Sequence, residues 1–107
     1  MRILVANEPR LYREVFADAF REFRPHTEVI TAEPDILDRE VLRFHPDLVI
    51  CDITPTVRAV AYSWIEIREE NGALVFSSSG TWPAGTDVRL DDLLSFIDQS
   101  QTMIQHN

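Results

Sequence analysis

The chain has no lysine; all ten of its basic residues are arginine. Chemistry that depends on a lysine ammonium is therefore excluded, and the permanently charged cationic side chains are all guanidinium groups. It has one cysteine, which rules out an internal disulfide and a cysteine-based zinc cluster. Cys51 lies inside an apolar run and reads as a small buried hydrophobe. No apolar stretch is long enough to span a bilayer, and no basic-then-apolar leader opens the sequence. The expectation is a soluble cytoplasmic protein with no membrane partner. Positive charge is scarce overall: ten basic residues face eighteen acidic ones, for a net charge of −8. Such a surface repels phosphates, so no nucleic-acid partner is expected. There is no internal repeat. At 107 residues the chain reads as a single domain, 1–107.

What is present is organised around Pro46-Asp47-Leu48-Val49-Ile50-Cys51-Asp52. Four consecutive apolar residues without alternation are how a strand reads when both its faces are covered, as in a parallel sheet. The carboxyl ends of such strands form the ligand crevice of an open α/β sheet, which places Asp52 where chemistry would occur.

Arg2–Ala6 reads as a first buried strand, broken by Asn7-Glu8-Pro9, with Asn7 as a helix N-cap. Leu11, Val15, Phe16, Ala19, Phe20 and Phe23 form an apolar stripe at helical spacing, with Arg13, Glu14, Arg21 and Glu22 away from it. That helix ends near Arg24, before Pro25. Thr27–Thr31 is a second strand. Asp35 caps a short helix that carries Ile36, Leu37, Val41 and Leu42 inward, with Asp38 completing a shortened capping box; it stops by His45. Beyond Asp52, Thr54-Pro55-Thr56 is a turn or helix start. Residues 57–70 fit either a third full helix or, with the Asn71-Gly72 hairpin signal, paired strands 64–69 and 73–79. Ser77–Gly85 is a polar loop and Val88–Leu90 a very short strand. Asp91 or Asp92 caps a last helix that turns Leu93, Leu94, Ile97 and Ile104 inward, and Gln105-His106-Asn107 is a frayed tail.

Arg2-Ile3-Leu4-Val5-Ala6-Asn7-Glu8-Pro9 resembles the opening of the receiver domain of two-component response regulators, and Pro46–Ile53 resembles that family's phosphoacceptor strand. Ser77 and the Asp91–Ile97 helix match more loosely. The resemblance implies a flavodoxin-like, three-layer α/β sandwich with a mainly parallel sheet, strand order 2-1-3, and an antiparallel hairpin if residues 64–79 pair. It implies Asp52 as phosphoacceptor, Mg²⁺ held by Glu8, Asp52, the amide of Asn7 and the backbone carbonyl of Thr54, and Ser77 as the hydroxyl that senses the phosphoryl group. The family's lysine has no counterpart, and Arg89, the only basic residue of the last third, is the available substitute. Asn7 also stands where the family has an acid. A carboxylate attacks a phosphoryl group only if metal and cation offset the accumulating negative charge. The reading is thus a degenerate receiver-like domain, not an enzyme and requiring no cofactor, that signals by associating with a protein partner or a second copy.

Other readings stand beside this one. Asp52 with Mg²⁺ forms a working phosphoacceptor, or Asp52 and Glu8 are solvated carboxylates left at strand ends. Ser77 and Ser78, in the hydroxyl-rich loop before Gly80, cradle a phosphate-containing ligand or form a plain turn. Trp82, in a Gly/Pro loop, is the aromatic expected at an interface. His26, His45 and His106 lie near turns or the tail and carry no role.

Overall fold

The computed structural model describes residues 1–105; His106 and Asn107 of the expected tail lie outside the described residues. Five strands form one sheet in the order β2-β1-β3-β4-β5: β1 (Arg2–Val5), β2 (Glu28–Thr31), β3 (Leu48–Cys51), β4 (Ser63–Glu70) and β5 (Ala73–Ser78). The first four run parallel, and β5 returns antiparallel to β4. The helices are α1 (Arg10–Phe23), α2 (Leu37–Phe44), α3 (Pro55–Val60) and α4 (Leu90–Gln105).

Every residue of β3 is buried, and its side chains alternate between two cores. Leu48 and Ile50 join Ile3, Val5, Ile65 and Ile67 under α1 and α4. Val49 and Cys51 join Leu4 and Ala6 under α2 and α3. The apolar run without alternation thus has the cause read from the sequence, cover on both faces.

The segment 57–70 resolves into both alternatives in sequence, a helix cut short at Val60 and then the first strand of the hairpin, Ser63–Glu70. Thr54 caps α3 by accepting a hydrogen bond from the Val57 N–H at 3.2 Å, and Pro55 occupies its first turn. The helix stops at Val60, and the chain then pairs as a hairpin. Asn71 (φ 53°) and Gly72 (φ 80°) both take the left-handed conformation that a two-residue turn matching strand twist requires.

Four local expectations are corrected. Asn7 is not a cap: Pro9 holds the position before α1, and Asn7 is fully buried at the end of β1. Asp35 lies within a 3-10 turn, Pro34–Ile36, and Asp38 accepts a 2.7 Å hydrogen bond from the Thr54 hydroxyl, tying α2 to α3. Val88–Leu90 makes no strand; Leu90 opens α4, and the Asp92 carboxylate reaches back to the Arg89 N–H at 2.9 Å. The edge of β5 is met instead by Gly85, whose backbone exchanges two 2.8 Å hydrogen bonds with Phe76.

The largest departure is the face of α1. Its inward residues are Arg13, Ala17 and Phe20, while Leu11, Val15 and Phe23 are exposed. The helix is turned about its axis so that small Ala17 lets it approach the sheet. The Arg13 stem lies buried, and its guanidinium donates to the Ala32 carbonyl at 3.3 Å and to Glu33 at 3.2 Å.

Candidate functional site

Parallel pairing brings the ends of β1 and β3 side by side, so the residues just beyond them, Glu8 and Asp52, border one open depression of about 500 Å³. Both are exposed. Because β4 is twice as long as β3, its last turns of pleat rise past Asp52 and add Ile67, Arg68 and Glu69 to the wall. The cation that borders this depression is therefore Arg68, which the sequence reading missed. It is already shared: its guanidinium lies 3.7 Å from Glu66 and 3.5 Å from Glu70.

Glu66 is the second residue not anticipated. It stands opposite Cys51 on β3 and Ser77 on β5. Its carboxylate accepts the Ile53 N–H at 3.2 Å and the Ser77 hydroxyl at 3.3 Å, fixing the turn that carries Asp52. Asn7, between β1 and Glu8 in the chain, is fully buried, and its side-chain oxygen and nitrogen have no hydrogen-bond partner among the described residues. An amide so placed costs stability unless something bonds it.

The remaining anticipated residues are placed elsewhere. Ser77 is two strands from β3, roughly 10 Å at ordinary strand spacing, with its hydroxyl spent on Glu66. The Ser78 hydroxyl donates to the Gly80 carbonyl, and the Ser79 hydroxyl accepts the Trp64 N–H. The serine loop thus satisfies itself locally, and α4 starts only at Leu90. Arg89 sits at that helix start and does not border the Asp52 depression. The Thr54 carbonyl accepts the Arg58 N–H at 3.0 Å, as the first bond of α3.

Cys51 is inert. Burial, then the neighbouring charges of Asp52, Glu66 and Asp38, push its thiol from 9.0 up to about 12. A thiol protonated throughout the physiological range is no nucleophile.

The opposite, amino end of the strands differs in kind. Tyr62 and Ser63 at the start of β4 border a groove of about 420 Å³ with Trp82 and Met103. Tyr62 also borders a second groove of about 320 Å³ with Leu42 and Val60. Trp82 is 46% exposed, as its Gly/Pro loop suggested.

No family model, curated protein or solved structure matches the chain. Among the described residues no helix is long and apolar enough to cross a membrane, and no group of three or more His, Cys, Asp or Glu side chains is gathered as a metal cage.

Proposed function

We propose that this chain is a degenerate receiver-like module of the flavodoxin-like, three-layer class, and that it acts in regulation by associating with a protein partner, without turnover. One observation carries the reading. Asp52 and Glu8 occupy adjacent strand ends as in a receiver, but their depression holds three carboxylates, Glu8, Asp52 and Glu69, against one guanidinium already engaged by two others. An incoming phosphoryl group would add negative charge to a site in deficit of positive charge. Arg68 offers no mobile ammonium in compensation.

Differential capture tests the association. Immobilised wild-type protein, Asp52→Asn and Trp82→Ser are exposed to the same lysate. The account expects one partner retained equally by wild type and Asp52→Asn and lost by Trp82→Ser. A partner lost with Asp52→Asn and kept with Trp82→Ser would move function to the carboxyl end.

A second reading, a phosphoacceptor at Asp52 using Mg²⁺, is favoured by the unpartnered Asn7 amide beside Glu8. Two carboxylates with an amide oxygen suit Mg²⁺, which keeps most of its waters and takes one or two carboxylates. Glu8, Asp52 and Asn7 would hold it, and the ion would supply charge neutralisation.

A further inference from the structure

We infer that the amino end of the sheet is a docking surface for a basic, apolar segment of a partner protein. The inference rests on the association reading and specifies its surface and its partner's chemistry. Nine large apolar side chains are exposed among the described residues, and five of them, Leu42, Val60, Tyr62, Trp82 and Met103, border the two grooves at this end. They come from α2, α3, the α3–β4 connection, the loop after β5, and α4. Tyr62, in the α3–β4 connection, lines both grooves, the first on the α4 side of the sheet and the second on the α2–α3 side. Concentrated exposed apolar side chains of this kind, aromatics above all, mark protein contacts.

Charge selects the occupant. The first groove is lined by the carboxylate of Asp92 and the second by that of Asp47, with His45 beside it; neither is lined by an arginine. Asp47 is engaged by the Arg2 backbone N–H and Asp92 by that of Arg89, so both carboxylates are held in place at the rim. A second copy of this chain, at −8, would bring anion to anion. A segment with apolar side chains for the two grooves and arginine or lysine beside them meets both the shape and the field.

Synthetic twelve-residue peptides alternating leucine with arginine, and leucine with glutamate, are the probes, read by fluorescence anisotropy and by amide chemical-shift mapping. The leucine–arginine peptide is expected to bind in a salt-dependent way and to shift the amides of Val60, Tyr62, Trp82 and Met103, while the leucine–glutamate peptide does not bind. Trp82→Ser and Val60→Ser should each weaken binding tenfold or more. Asp92→Asn should weaken it about threefold and flatten the salt dependence. Absence of binding overturns the proposal, as do shifts confined to the Glu8–Asp52 end, binding unchanged in Trp82→Ser, or a dimer by light scattering that Trp82→Ser abolishes. A partner retained from lysate by a protein that binds neither peptide would overturn this surface and leave the association reading standing, so the two failures are separable.

Discussion

The two ends of this sheet are built from the same strands and have opposite characters. The depression at the carboxyl end sets carboxylates around one shared guanidinium, and the Asn7 amide is buried there with no partner among the described residues. The two grooves at the amino end are lined by few charged side chains and by exposed aromatic and aliphatic ones. On the proposed reading, the end with carboxylates at its strand ends is too short of positive charge to take a phosphoryl group, and the opposite end serves as the interface. Position in a fold therefore indicates where to look, and the electrostatics of the particular residues decides what happens there.

The sharpest way to break this contrast is at Asn7. Asn7→Asp places a carboxylate where the amide is already unpartnered, and it should destabilise the protein by about 3–5 kcal/mol near neutral pH. The loss should shrink on acidification, as the buried acid becomes neutral. Recovery with added Mg²⁺ would favour the phosphoacceptor reading instead. Asn7→Leu, of the same branching, should raise stability by about 1–2 kcal/mol, because it removes two unbonded polar atoms. Denaturant titration measures both.

Alkaline unfolding probes the layer just beneath. The Cys51 thiol is held protonated in the fold, and the unfolded chain ionises it first. The Cys51 contribution to stability should therefore be constant below about pH 9 and fall as pH rises from 9.0 towards about 12. One proton corresponds to a slope of about 1.4 kcal/mol per pH unit. Cys51→Ala should remove that slope. In the same region Glu66→Ala leaves the Ile53 N–H without its acceptor and should cost about 1–2 kcal/mol by thermal unfolding.

At the amino end the expected effect on stability is the smallest. Trp82→Ser, in an exposed loop, should change unfolding free energy by less than about 0.5 kcal/mol while removing partner capture. A loss as large as that for Glu66→Ala would mean that Trp82 is a packing residue and that the contrast between the ends is overstated.

Much of this arrangement is legible in the amino-acid sequence. The run Leu48–Cys51 announces a strand covered on both faces, and Asn71-Gly72 announces the hairpin, because each signal is local and has one structural cause. The face of α1 is not legible in this way. Counting apolar residues selects Leu11, Val15 and Phe23, whereas burial follows the small size of Ala17 and the two acceptors that Arg13 finds across the chain at Ala32 and Glu33. Glu8 and Asp52 are found because strand ends follow from strand pattern. Arg68 is missed because its place depends on how far β4 outruns β3, which no short motif states. The amino-end surface draws on five separate segments, and only Trp82, marked by its Gly/Pro setting, stands out in advance.

The most direct test of the central claim is incubation with a small-molecule phosphodonor and Mg²⁺, read by intact mass, with Asp52→Asn alongside. The account predicts an unchanged mass for both proteins under conditions that modify an ordinary receiver. A gain of one phosphoryl mass by the wild type alone would contradict it and make the carboxyl end a working acceptor site.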